Sequence, residues 1–429
     1  MTLRVAILSV HTCPLAALGG KETGGMNVYV RATARELGRM GVHVDVFTRS
    51  QNPGIRRVVE LGTGARVIHL PAGPEAPMAR EVVHRHLPEF VDGVEAHRRA
   101  EGLEYDLIHG HYWLSGVAGL ALRESWGVPF VQMFHTLGRL KNSVARTAAE
   151  VEPEIRLVEE QRVVRLADRI VAANVVERAH LAWYYGASTD RIAVFPCGVD
   201  TELFRPLPRG EAKALLALPP DPLLLYVGRL QPIKGLETLL DAMTALDGAA
   251  RLLIVGGDQD EPENGHADYL RERVSLLGLG ERVSFLGAQP QERLRLFYAA
   301  AEATVMPSYY ESFGMVAYYE SFGMVALEAM ACGSPVIASR VGGLTTTVRD
   351  GATGFLVPEG DAAALAERAA LLLEDPRRRE QLGREAQRWA AEHRWPCVAE
   401  AVCRLYSDLR PSASGHLARS RCRSSHGRS

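Results

Sequence analysis

The sequence predicts an α/β protein made of two doubly wound, Rossmann-like domains that face each other across a cleft. Three observations carry this. Short apolar, β-branched runs alternate with amphipathic helical stretches; the alternation occurs twice, in halves of similar length; and a proline-dense segment lies between the halves. Strand–helix alternation implies parallel sheets covered on both faces. Two such series in 429 residues fit a prior of about 150 residues per domain.

In the first half RVAILSV (4–10), VHVDVF (42–47), RVIHL (66–70), DLIHG (106–110), PFVQMFH (129–135), RIVAA (169–173) and IAVFP (192–196) read as strands. Helical patterns separate several of them: Val30, Ala34 and Leu37 recur at i, i+4 and i+7, and the stretch from Ile155 to Ala167 mixes Glu and Arg with Val and Leu. The second half repeats the scheme with LLLYVG (223–228), RLLIVGG (251–257), VSFLG (283–287), ATVMP (303–307), PVIAS (335–339) and GFLVP (354–358). Helices are expected over LETLLDAM (236–243) and ALAERAALLLED (364–375). The boundary falls at LFRPLPRG (203–210), because proline breaks helix and strand alike. The expected division is a first Rossmann-like domain, 1–205; a second, 206–390; a helical segment, 391–410, packing back on the first domain; and a tail, 411–429. That tail carries four arginines, no acid and almost no large apolar residue, so disorder is expected.

Composition narrows the function classes. Hydrophobic residues make up 47% and charged residues 23%, enough for real cores. A formal charge of −2 gives no reason to expect nucleic acid as a partner. The cysteines Cys13, Cys197, Cys332, Cys397, Cys403 and Cys422 are scattered without metal spacing, which fits a reducing, cytoplasmic setting. MTLRVAILSV reads as a strand rather than a signal peptide, and no stretch approaches the roughly 20 apolar residues of a membrane span.

Four motifs carry chemistry. LGGKETGGMNVYV (18–30) places two Gly-Gly pairs between strand one and a helix start, which lets backbone approach a phosphate or sugar; a flexible loop is the plainer alternative. GRLQPIKG (228–235) sets Arg229 and Lys234 at the carboxyl end of a strand, where a pyrophosphate gaining charge would meet them; alone, they would pass as surface cations. ESFGMVALEAMACGSPV (320–336) puts Glu320 in a loop and Glu328 in a helix, with the N–H groups of Gly323, Met324 and Val325 at its amino end. Finally, HGHYWLSG (109–116) and FHTLGRLKN (134–142) end strands with His109, His111 and His135. No carboxylate or thiolate accompanies them at metal spacing, so sugar hydrogen bonding is the better reading and no metal site is expected. Asp258 and Asp260 form a DxD string, read as a solvated loop.

GRLQPIKG, ESFGMVALEAMACGSPVIAS and VGGLTTTVRDGATGFLV (341–357) resemble retaining glycosyltransferases of the GT-B fold, over roughly residues 3–405. In the first half, SVHTCP, TGGMNVYV, HGHYWLSG and the HTL…KN…EIRLVEEQ series look like the inositol-phosphate glycosyltransferases of mycothiol synthesis and bacterial sucrose-phosphate synthases. The resemblance implies transfer from a nucleotide diphosphate sugar, by family default a UDP-sugar, to a small phosphorylated acceptor such as inositol phosphate or fructose 6-phosphate. It assigns Arg229 and Lys234 to the diphosphate, Glu320 to donor-sugar hydroxyls, Glu328 to the ribose and His135 to the transferring sugar. Gly24, Gly25 and Asn27 would line the cleft floor, with Phe322, Gly323, Met324 and Val325 around the donor. Arg80, Tyr112, Thr136 and Arg156 match positions that hold the acceptor phosphate, Arg80 standing where relatives have lysine. The implied chemistry needs no cofactor and no Mg; the partners are small molecules, with a homodimer an open assembly.

One feature departs from the family pattern. YYESFGMVA occurs twice in succession, at 309–317 and 318–326, and the glutamate spacing selects the second copy as the donor loop. Two other classes therefore stay open: a nucleotide-sugar-binding pseudoenzyme disabled by the duplication, and an NAD-dependent oxidoreductase, which the loose glycine pattern disfavours.

Overall fold

The computed structural model describes residues 2–16, 24–143, 151–246, 248–257, 265–309 and 323–410. The basic tail, Asp258, Asp260, Glu320 and Phe322 lie outside these residues, as does most of the duplicated stretch. Among the described residues the strands form two sheets. The first holds β1 (Arg4–Leu8), β2 (His43–Arg49), β3 (Val58–Gly62), β4 (Ala65–Leu70), β5 (Leu107–His111), β6 (Phe130–Met133), β7 (Arg169–Ala172) and β8 (Ile192–Val194). The second holds β9 (Leu223–Val227), β10 (Arg251–Val255), β11 (Val283–Phe285), β12 (Ala303–Met306), β13 (Val336–Ser339) and β14 (Gly354–Val357).

Strand order is β3-β4-β2-β1-β5-β6-β7-β8 in the first sheet and β11-β10-β9-β12-β13-β14 in the second. All pairings are parallel except β3 with β4. Each sheet thus reverses direction once, between β1 and β5 and between β9 and β12. Open α/β sheets bind ligands at such switch points, outside the carboxyl ends of the strands.

The strands form because their residues are apolar on both faces, as parallel strands between two helical layers must be. Val5, Ala6, Ile7 and Leu8 are all fully buried. The helix Gly25–Arg39 covers this sheet with Tyr29, Val30, Ala34 and Leu37. β3 was not anticipated: its pattern leaves Val58 and Glu60 outside and buries little beyond Leu61, so it carries no core signature. The observed strands otherwise fall within or beside the expected runs, most ending one or two residues earlier where those runs enter loops, while β2 and β5 extend two and one residues further.

The chain crosses between the halves twice, and the crossings touch. Val199 N–H donates to the His393 carbonyl at 2.8 Å. Beyond it the helix Trp395–Leu409 lies on the first domain with a stripe of Trp395, Val398, Ala399, Val402, Leu405 and Tyr406. Trp395 meets Tyr29 edge-on at 5.7 Å, the Tyr406 hydroxyl bonds His109 Nδ1 at 2.6 Å, and Arg410 pairs with Asp106 at 3.1 Å. One continuous core cluster runs from Val5 through Tyr406 to Leu223 and Met330. No helix among the described residues is long and apolar enough to cross a membrane.

Candidate active site

At the first switch point the ends of β5 and β6 carry two side chains on unusual backbone. Tyr112 has φ 74° and His135 φ 60°. Such conformations cost about 1–3 kcal/mol each in a residue with a side chain and persist where surrounding structure enforces them. Here the β-ladder does so, with Tyr112 N–H donating to the Met133 carbonyl at 2.9 Å. Tyr112 also opens the helix Trp113–Trp126, and its ring lies 4.3 Å from that of His11 at the end of the β1 loop.

A buried arginine organises the groups around it. Arg156, from the helix Glu154–Leu166, is fully buried. Its Nε donates to Glu160 Oε1 at 2.7 Å, one Nη to the Tyr112 hydroxyl at 3.1 Å, and the other to the Thr136 carbonyl and Oγ1 at 3.0 and 2.9 Å. Arg80 donates to the same Tyr112 hydroxyl at 3.3 Å. That oxygen accepts from two cations, so its own proton is available to an anion. Burial raises the Tyr112 phenol despite Arg156 and Arg80, so it stays protonated. Glu160 is held in turn by Gly138 N–H at 2.8 Å and by Tyr185. The four residues that the resemblance assigned to acceptor phosphate, Arg80, Tyr112, Thr136 and Arg156, are therefore one hydrogen-bonded unit.

Next to this unit stands a histidine group. His111 Nδ1 and His135 Nε2 are 2.8 Å apart, and the rings of His109 and His111 lie 4.3 Å apart. Burial pushes His135 down to about 3, and burial followed by His109 and His135 pushes His111 well below its ordinary value. Both imidazoles are neutral at pH 7 and share one hydrogen bond, which fixes the His135 ring in place. A neutral, oriented imidazole suits hydrogen bonding to a sugar rather than proton donation at neutral pH. Among the described residues no group of three His, Cys, Asp or Glu side chains could hold a metal ion.

The second switch point carries the donor-side motifs. Arg229, exposed, and Lys234, half-buried, follow β9 in the loop before the helix Leu236–Ala245. Gly235, at φ 65°, brings this loop against the Pro307 carbonyl, where a Cβ would collide. Tyr309 N–H completes the contact with the Ile233 carbonyl at 2.9 Å. Gly323, at φ 73°, opens the helix Met324–Ala331 within reach of Met306, the last residue of β12. The β9 loop and this helix start therefore share one edge of the sheet.

Across the cleft lies the amino end of Gly25–Arg39. A Cβ on Gly25 would stand 3.2 Å from Met324 Sδ, so two helix starts face each other. Neither has an acidic residue in its first turn. Two positive helix ends in such proximity favour an anion between them. Asn27 braces this approach: its amide donates to Thr12 Oγ1 and the Cys13 carbonyl at 2.8 and 2.7 Å, and its oxygen accepts from Gly24 N–H at 3.1 Å. Glu328 is buried in the Met324–Ala331 helix, accepts from the Tyr298 hydroxyl at 2.8 Å, and is pushed up to about 7 by burial.

Several residues at the site escaped the sequence reading. His11, Glu152 and Tyr298 touch the assigned Tyr112, Arg156 and Glu328, and Lys141 contacts Glu152. SVHTCP immediately after β1, at a switch point, was the available signal for His11, whose Nδ1 is buried without a hydrogen-bond partner. Lys141, in the short helix Gly138–Asn142, and Glu152 meet through a contact that the sequence gives no means of foreseeing.

Comparison with known proteins agrees with this geometry. The family described as Glycosyltransferase Family 4 matches residues 23–203, and that described as Glycosyl transferases group 1 matches residues 211–389. A D-inositol 3-phosphate glycosyltransferase of Nocardiopsis dassonvillei is 41% identical over 94% of each chain. One of Nocardia farcinica is 41% identical over 94% of this chain and 89% of its own. The solved sucrose-phosphate synthase of Thermosynechococcus elongatus superposes with a TM-score of 0.85 at 38% identity, over 95% of this chain and 99% of its own. With two facing Rossmann-like domains, both family matches and relatives at this identity, the chain belongs to the glycosyltransferases of the GT-B fold.

Proposed function

We propose that this glycosyltransferase moves a sugar, with retention at the anomeric carbon, from a UDP-sugar to a small polyol or sugar phosphate. Inositol phosphate and fructose 6-phosphate are the first acceptors to consider. The observation that carries the reading is the Arg156–Tyr112–Thr136–Arg80 unit beside His135, on the same cleft as two facing helix starts. A buried arginine with hydroxyls suits a phosphate monoester. The helix ends, with Arg229 and Lys234, suit a diphosphate whose charge grows as its bond to the sugar breaks. The relatives' names, D-inositol 3-phosphate glycosyltransferase and sucrose-phosphate synthase, both include a phosphorylated polyol or sugar.

In this reading the acceptor hydroxyl attacks from the face the diphosphate leaves, and a departing phosphate oxygen takes its proton. No carboxylate nucleophile is needed. Neutral His135 positions the transferring sugar, Glu328 receives the ribose hydroxyls, and Glu320 the donor-sugar hydroxyls. Domain closure excludes the water that would hydrolyse the donor. The two cations and the helix ends take the part of a divalent ion, so transfer proceeds without Mg.

The test is a screen of UDP-sugars against inositol phosphate and fructose 6-phosphate in EDTA, read by product mass and by the anomeric coupling in NMR. The expected product carries the donor's anomeric configuration. Donor hydrolysis without any transfer, an inverted product, or a strict requirement for added metal would overturn the reading.

A further inference from the structure

The phosphate unit contains its own competing anion. Glu152 Oε2 is 2.9 Å from Arg156 Nη1, and its Oε1 contacts Lys141 and lies 3.9 Å from Arg80. One carboxylate thus faces three cations. Burial alone would raise this carboxyl, but Arg156 and Lys141 outweigh it and hold it below its ordinary value.

A guanidinium has five N–H donors. Those of Arg156 have Glu160, Tyr112, the Thr136 carbonyl, Thr136 Oγ1 and Glu152 within 3.1 Å. A phosphate can reach Arg156 only by replacing one of them. Glu160 is fully buried and further fixed by Gly138 and Tyr185, and the Thr136 carbonyl belongs to the main chain. Glu152 is the partner that a phosphate oxygen replaces charge for charge.

The surroundings let Glu152 leave without disturbing the fold. Its main chain is clamped by Asn142, which donates to the Glu152 carbonyl at 3.1 Å and accepts from its N–H at 2.6 Å. Departure is therefore a side-chain rotation. Arg156 keeps Glu160, so its position does not depend on Glu152. With Glu152 in place the three cations face two carboxylates; with it rotated out they face one, and the remaining two positive charges match a phosphate dianion.

We propose that Glu152 is a displaceable latch, a carboxylate that occupies the acceptor-phosphate nest in the empty protein, and that Lys141 is a further phosphate-binding residue uncovered when it leaves. The proposal rests on the reading that an acceptor phosphate binds this unit. Each binding event breaks the Glu152 contacts, so the latch weakens phosphate binding and speeds release of a product that still carries its phosphate.

The test is isothermal titration of the full chain with inorganic phosphate, on wild type, Glu152→Gln and Glu152→Asp. Gln keeps the shape and loses the charge, so phosphate should bind it about tenfold more tightly, the scale of one charge-assisted hydrogen bond. Asp, one methylene shorter, should fall between the two. In turnover, Glu152→Gln should lower both KM for the phosphorylated acceptor and kcat, a split that a merely structural defect does not produce. Phosphate binding to Glu152→Gln no tighter than to wild type, with both proteins cooperatively folded, would overturn the latch alone. Absence of phosphate binding to every form would overturn the latch and the acceptor-phosphate reading together.

Discussion

At the residue scale the account depends on buried charge that is fully partnered. Removing Arg156 leaves Glu160 buried without its cation, and breaking a buried pair in this way costs about 3–5 kcal/mol. Arg156→Met should therefore melt at a clearly lower temperature and lose at least about a hundredfold in kcat/KM for a phosphorylated acceptor. Its affinity for a UDP-sugar, which the proposed function places on the other domain, should be unchanged by titration. Glu328 gives a pH prediction. Its folded value is raised from 4.5 to about 7, so the stability it contributes is complete below the unfolded value and is lost as pH rises through about 7. In the proposed role Glu328 accepts from ribose hydroxyls in its ionised form, which is scarce at pH 6. Donor KM should fall roughly tenfold between pH 6 and pH 8, while the unliganded protein loses some thermal stability over the same interval. Glu328→Gln should flatten both trends. Part of this scale was legible through the family resemblance, which singled out Arg80, Arg156, Tyr112 and Thr136, four residues that the structure joins by hydrogen bonds. Lys141 and Glu152 were not, because a single charge carries no period, and only tertiary closure brings residues 141 and 152 together.

At the element scale, motifs placed at strand ends proved readable because parallel strands announce themselves. Continuous apolar runs such as RVAIL and RLLIV are buried on both faces, and the loops that follow them fall at the carboxyl edge. β3 shows the limit: an antiparallel edge strand with two outward residues looks like loop composition. His135 and Tyr112 show another, since positive φ at a non-glycine position is imposed by the ladder and has no local sequence signal. The first copy of YYESFGMVA, 309–317, falls in the sequence between β12 and the Met324–Ala331 helix. Lengthening such a connection costs only about 1 kcal/mol in closure entropy. The helix itself begins at Met324, capped by Gly323, inside the second copy. Excising residues 309–317 should thus leave donor turnover equal to or above that of the full chain. Loss of turnover on excision would make the extra nine residues part of the site.

At the scale of the whole molecule, the two sheets each place their switch point at the cleft, one bearing the Arg156–Tyr112 unit and the other the loop of Arg229 and Lys234. The helix Trp395–Leu409 ties the second half back to the first through Trp395–Tyr29 and Tyr406–His109, so the site's histidine group rests on the segment that joins the domains. Two-domain division was legible from repeated alternation. The touching crossings at Val199 and His393 were not, since they join residues almost two hundred positions apart. Function follows from that assembly: sugar transfer should depend on a phosphate that the reacting carbon never touches, because the phosphate is what orients the acceptor. The most direct measurement compares initial rates of transfer to inositol phosphate or fructose 6-phosphate with those to inositol or fructose at equal concentration. A preference of at least about a thousandfold in kcat/KM for a phosphorylated acceptor, the worth of a well-held phosphate, is the predicted result. Rates within tenfold of each other for the phosphorylated and unphosphorylated forms would contradict the account.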